Sequence, residues 1–126
     1  MRRLLPLLLI LGVAASPAHA QQSPTYVIFF QSWSAALDDA AQGVITQAAN
    51  WAKSHPNDLV QVTGSADTTG SQRANALLSD LRAQMVNDQL VMDGINAGRI
   101  QLSGVGSIPG SGSALLARRV QVTFAH

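Results

Sequence analysis

The sequence predicts an α+β fold: a two-layer sandwich, β-α-β-α-β-β, with two helices on one face of a mixed sheet. Three observations carry that expectation. Short β-rich segments recur at 26–30, 59–63, 100–103 and 120–124. The first three are separated by two long stretches whose apolar residues return at helical spacing. Strands that alternate with amphipathic helices favour a sheet with some parallel pairing, and two helices on one face make two layers.

Taken in order, residues 1–20 stand apart from that domain. Arg2 and Arg3 form a basic start, Leu4 to Val13 a short apolar run broken by Pro6, and Ala18-His19-Ala20 a small-x-small cleavage pattern. This is the signature of a secretory signal peptide, too short for a permanent membrane span. The domain is therefore expected over 21–126, an ordinary size for one hydrophobic core. No Cys follows the cleavage pattern, which excludes acylation there as a lipoprotein. No later segment is apolar enough for a membrane helix, and the strands are too few for a barrel.

Gln21 to Pro24 is a polar lead-in, and Tyr26-Val27-Ile28-Phe29-Phe30 suits a strand buried on both faces. Asp38 and Asp39 stand where an N-cap and first helical turn favour acids. Ala41, Val44, Ile45, Ala48 and Ala52 continue at helical spacing until His55-Pro56 stops the run. Leu59 to Thr63 alternates with period two, as a half-buried strand does, and Gly64 to Gly70 reads as a turn-rich loop. Ser71 can cap a second helix, with Leu77, Leu78, Leu81, Met85 and Met92 as its apolar face and Gly94 past its end. The strands at 100–103 and 120–124 follow, with an irregular Gly- and Ser-rich loop from Gly104 to Ser113 between them.

Composition narrows the function. Of eight Lys and Arg, loss of Arg2 and Arg3 leaves six against seven Asp, a net charge of −1. The whole-chain pI of 8.4 therefore describes the precursor. A near-neutral surface gives no electrostatic case for nucleic acid or anionic lipid. Beyond the cleavage pattern the histidines are His55, at a helix end, and His126, expected to be disordered at the terminus. That leaves no plausible Ser-His-Asp triad, no thiol nucleophile and no cluster at metal-ligand spacing. The 64–70 loop lacks the Lys of a phosphate loop. No enzyme activity and no cofactor are expected. Trp33 and Trp51 are expected to pack over the helix layer, sugar stacking being the alternative.

The pattern richest in polar residues spans the third loop and second helix. Gly64-Ser65-Ala66-Asp67-Thr68-Thr69-Gly70 leads into Asn75, Leu78, Ser79, Arg82, Ala83, Val86 and Leu90. These seven fill every fixed place of N-x-x-L-S-x-x-R-A-x-x-V-x-x-x-L, and Asp67 and Gly70 match a T-D-x-x-G element upstream. With weaker landmarks at Phe29-Phe30, Leu37-Asp38, Gly104-Val105-Gly106 and Arg118-Arg119-Val120, the chain resembles the OmpA-like domain family from about Tyr26 to Phe124. That family includes peptidoglycan-associated lipoproteins and flagellar stator proteins.

The resemblance implies a periplasmic domain, in association with the cell wall or outer membrane of a Gram-negative envelope. It implies non-covalent binding of peptidoglycan through the diaminopimelate residue of the stem peptide, whose side chain ends in an ammonium and a carboxylate on one carbon. By motif, Asp67 accepts from the ammonium and Arg82 grips the carboxylate in a fork. Asn75, on the same helical stripe as Arg82, holds the Asp67 loop or the ligand, and Arg118 closes the pocket from the last strand. By itself Asp67 reads as a turn residue and Arg82 as a solvated helix residue or an ion-pair partner of Asp80 or Asp88; the full motif favours a site.

Some positions depart from the family pattern. Ser65 and Ala66 replace bulkier or hydroxylated residues, Ala74 stands where Tyr is frequent, Ala117 where Asn precedes the Arg pair, and the Gly106-to-Arg118 stretch is short. These departures leave a second reading open: a protein-interaction module that has lost its pocket and serves as an accessory subunit of an envelope complex.

Overall fold

The computed structural model describes residues 22–108 and 114–126. The expected signal peptide at 1–20 lies outside the described residues. The elements are β1 (Tyr26–Phe29), α1 (Asp39–Ser54), β2 (Leu59–Ala66), α2 (Gln72–Met92), β3 (Ile100–Ser107), α3 (Ala114–Ala117) and β4 (Arg119–Ala125), with a 3-10 turn at Ala97–Arg99.

The strands form one mixed sheet in the order β1-β4-β2-β3. β2 and β3 run parallel, while β4 is antiparallel to both β1 and β2. Residues facing the helices lie in rows across it. Phe124, Val60 and Ile100 form one row, Tyr26, Val122, Val62 and Leu102 the next, and Ile28, Val120, Gly64 and Gly104 a third. α1 buries Ala41, Ile45, Ala48 and Ala52 against these rows, as its spacing predicts, with Ala49 buried beside them and Val44 only partly so, and α2 adds Ala83, Val86 and Leu90 to the same core. The two-layer α+β sandwich is therefore the fold. Both caps form as expected: the Asp38 carboxylate accepts from Ala41 N at 2.8 Å and the Ser71 hydroxyl oxygen from Ala74 N at 3.0 Å.

The α2 face differs from the expectation. Leu77 and Leu81 are more than half exposed and Met92 is exposed, whereas Asn75, Ser79, Arg82, Ala83, Val86 and Leu90 are buried. The cause is glycine. Gly64 of β2 and Gly104 of β3 are register partners. A Cβ at Gly64 would run into the Ser79 carbonyl, and one at Gly104 into Asp80, including its backbone nitrogen. The two form a bare trough into which the helix backbone settles, so small and polar side chains go underneath and the leucines turn outward. A glycine within a strand marks such close approach.

The strand ends differ for the same reason. β2 runs on through Gly64 to Ala66 and β3 through Gly104 to Ser107, where a turn-rich loop and an irregular loop are expected from composition. α3 follows as a short helix that composition does not announce. At the C-terminus His126 Nδ1 lies 2.8 Å from the buried Asp58 carboxylate, the His126 side chain itself being exposed. Trp51 packs over the helix layer as expected, stacked on His55 with ring centroids 3.8 Å apart and near Phe124. Trp33 does not: it is 52% exposed. Among the described residues no helix is long and apolar enough to cross a membrane.

Candidate functional site

The polar residues singled out by the sequence meet at one end of the sheet, just beyond the Gly64–Gly104 row. β2 ends at Ala66 and Asp67 follows at once. The backbone there is held from both sides: the Ser107 hydroxyl donates to the Asp67 carbonyl at 3.0 Å, and Ile108 N donates to the Ala66 carbonyl at 3.1 Å. The Asp67 side chain folds onto its own loop, with Oδ1 accepting from Thr69 N at 3.1 Å and from the Thr69 hydroxyl at 2.5 Å. This is the turn-forming habit of Asp. Its other oxygen, Oδ2, faces Arg118 Nη1 at 3.3 Å. The Thr69 hydroxyl above all, then the Thr69 amide and Arg118, hold the Asp67 carboxyl below its ordinary acidity range, against an opposing push from burial.

α2 secures that loop. Asn75 Nδ2 donates to the Thr69 carbonyl at 2.7 Å, and one turn later Ser79 accepts from Gly106 N at 2.9 Å while donating to the Ala76 carbonyl. One further turn brings Arg82, fully buried in the molecule. Its Nε donates to the Ser34 carbonyl at 2.8 Å, Nη1 to Ser65 at 3.0 Å and Nη2 to Gln31 at 3.0 Å. The Arg82 guanidinium carbon stands 5.3 Å from the ring centroid of Phe30, within cation–π range. Burial pushes the guanidinium below its usual pKa, the Asp67 charge opposes that shift, and the Arg118 charge adds to it. Arg82 is thus a brace between α2, β2 and the loop after β1, with two of its five N–H groups beyond those three bonds.

Arg118, immediately before β4, donates from Nε to the Phe30 carbonyl at 3.1 Å and pairs with Asp67 through Nη1. Its side chain is 19% exposed and that of Asp67 10%. The four candidates Asp67, Asn75, Arg82 and Arg118 therefore gather at one end of the sheet, an acid ion-paired with one guanidinium and within electrostatic reach of a second, with an amide fixing the loop. Such an arrangement can read a zwitterion, exchanging an internal ion pair for one with an ammonium and a carboxylate.

Sequence reasoning missed several participants. Thr69 is detectable in principle, since a Thr two residues after an Asp suits an Asx turn. The carbonyls of Gln31, Ser34 and Phe30 leave no signal, because any residue type supplies a carbonyl. The departures from the family pattern also land differently. Ser65, Ala66 and Ala117 are buried, and the Ser65 hydroxyl donates to the Ala117 carbonyl at 2.7 Å, tying β2 to the end of α3. They form the site's foundation rather than its open wall. No three His, Cys, Asp or Glu side chains gather around a common point among the described residues.

A profile described as the OmpA family matches residues 29–111. The probable lipoprotein YiaD of Escherichia coli K12 is 37% identical over 79 residues, covering 63% of this chain and 36% of that protein. The peptidoglycan-associated lipoprotein of Rhizobium meliloti is 30% identical over 96 residues, covering 74% of this chain and 54% of that one. This chain thus spans about half or less of these relatives' length. Among solved structures, the peptidoglycan-associated lipoprotein of Burkholderia pseudomallei superposes with a TM-score of 0.74 at 23% identity, covering 79% of this chain and 89% of that one. That likeness concerns the fold.

Proposed function

The chain belongs to the OmpA family, and from that premise we propose that it is a non-catalytic module binding peptidoglycan non-covalently through the diaminopimelate residue of the stem peptide. The observation that carries the reading is Asp67, held as a carboxylate by Thr69, ion-paired with Arg118, and near enough for its charge to act on the buried Arg82. The ligand's ammonium replaces Arg118 on Asp67. Arg118, released, and the two remaining N–H groups of Arg82 then meet the ligand carboxylate. Asn75 keeps the loop in place during the exchange. Relatives named as peptidoglycan-associated support the ligand class.

Magnitudes favour docking over catalysis. Each charge-assisted contact contributes roughly 1.5–3 kcal/mol net, and here an internal ion pair is given up first, so one stem peptide binds weakly. A wall that repeats the epitope densely makes weak sites effective through rebinding. Export by the signal at 1–20 and a periplasmic location, at the wall or outer membrane, belong to the same proposal.

Retention of the exported protein on purified sacculi tests the site. We expect wild type to be retained and both Asp67→Asn and Arg118→Gln to be lost at least tenfold while melting as folded proteins. Equal retention of all three would refute the assignment. A second reading rests on a specific observation: Arg82 is fully buried and commits three donors to the protein's own carbonyls. An interaction module with its pocket closed fits that state, and it predicts co-purification of an envelope protein without sacculus retention.

A further inference from the structure

We infer that Trp33 is a ligand-binding residue: its exposed indole forms the apolar lip of the Asp67 site and takes the methylene chain that carries the zwitterion. The inference rests on the site reading above and adds a part that the charged residues lack. Trp33 lies in the loop between β1 and α1, and that loop belongs to the site. Arg82 bonds the carbonyls of Gln31 and Ser34 on either side of Trp33, and Arg118 bonds that of Phe30. The Trp33 ring lies against Gly70, at the far end of the Asp67 loop, so closely that a Cβ at Gly70 would overlap its six-membered ring.

Two features separate Trp33 from an ordinary surface aromatic. Its backbone is left-handed, at φ 54, and it is the single described non-glycine residue with positive φ. For a bulky side chain that conformation is strained, and strain of this kind persists where the surroundings impose it. Yet the imposed conformation does not bury the indole, which remains 52% exposed. The ordinary benefit of packing a Trp is thus only half taken. The loop, whose carbonyls Arg82 and Arg118 hold, keeps an apolar surface open against Gly70 at the end of the Asp67 loop.

The chemistry of the lip follows from its position. A ligand whose ammonium and carboxylate enter between Asp67 and the arginines must leave across the rim on its carbon chain. For diaminopimelate that chain is a run of methylenes, which an indole face covers well and water does not. Trp33 then discriminates by chain: it favours a zwitterion borne on several methylenes over a bare amino acid.

The test uses the exported protein with free meso-diaminopimelate and D-alanine as probes, read by amide and indole NMR shifts. Trp33→Gly removes the ring while suiting the left-handed backbone, so the fold is retained, as the melting temperature will report. We expect Trp33→Gly to weaken diaminopimelate about tenfold, or ~1.4 kcal/mol, to leave the weaker D-alanine affinity unchanged, and Trp33→Phe to restore most of the loss. Unchanged diaminopimelate affinity in Trp33→Gly, with binding abolished in Asp67→Asn, overturns the role of Trp33 and leaves the site standing. Wild-type affinity in Asp67→Asn overturns the site itself.

Discussion

The guanidinium of Arg82 makes three bonds to main-chain carbonyls from two segments that are distant from it in sequence. No smaller or neutral side chain replaces that. Arg82→Ala leaves those carbonyls without their donors, at about 1–3 kcal/mol for each one that water fails to reach. We predict a loss of at least about 3 kcal/mol, or a melting-point drop of roughly 12 °C or more in a domain of this size. Arg82→Lys, able to meet one or two carbonyls at best, falls between. A thermal melt of both variants checks this, and an unshifted Arg82→Ala would mean that the brace contributes nothing. The position of Arg82 was legible in the sequence through the helix motif. Its inward orientation was not, because nothing in a residue string tells where three backbone carbonyls will point.

At the scale of the element, α2 shows where periodicity misleads. Leu77, Leu78, Leu81 and Met85 trace an apolar stripe by the usual helical count, yet Leu77 and Leu81 are the exposed ones. The buried stripe begins with Asn75, Ser79 and Arg82 and is apolar from Ala83 on, through Val86 and Leu90. Gly64 and Gly104 decide this, since they let the helix backbone sit on the sheet with no side chain between. We expect Leu77→Gln and Leu81→Gln to change stability by no more than about 0.5 kcal/mol, the range for surface substitutions. Leu90→Ala is expected to cost about 2–5 kcal/mol. Urea unfolding orders them, and a Leu81→Gln loss as large as that of Leu90→Ala would contradict the observed face.

The same trough makes a sharper prediction. Gly64→Ala drives a Cβ into the Ser79 carbonyl, which is backbone and yields only if α2 lifts. Overpacking of this kind costs about 1–3 kcal/mol. Lifting α2 also disturbs Asn75 and Arg82, so sacculus retention should fall with stability. Retention at wild-type level in Gly64→Ala, with stability lowered, would separate the trough from the site. By contrast, the apolar residues of α1 needed no such device. Their spacing, the Asp38 cap and the His55-Pro56 stop were all legible, because ordinary apolar packing governs them.

At the scale of the whole molecule, the site doubles as a clasp. Asp67 follows β2 and Arg118 precedes β4, so their ion pair closes the end of the sheet that the hydrophobic rows leave polar. The depressed pKa of Asp67 then makes stability depend on pH. An acid whose folded pKa lies below its unfolded value releases its proton more readily when folded. The resulting stabilisation is fully present above the unfolded value, about 3.9 for Asp, and is lost as pH falls through the folded value. Asp67→Asn has no such group. Its deficit relative to wild type should therefore be constant from pH 7 to about 5, shrink as pH falls below about 4, and level off once Asp67 is protonated in the folded state. Urea unfolding of both proteins from pH 7 to 3 measures it. Ligand retention, which needs the carboxylate as an ion, should fail over the same acid range in wild type. A deficit that stays the same at pH 3 as at pH 7 would show that Asp67 stabilises the fold through its shape and hydrogen bonds alone.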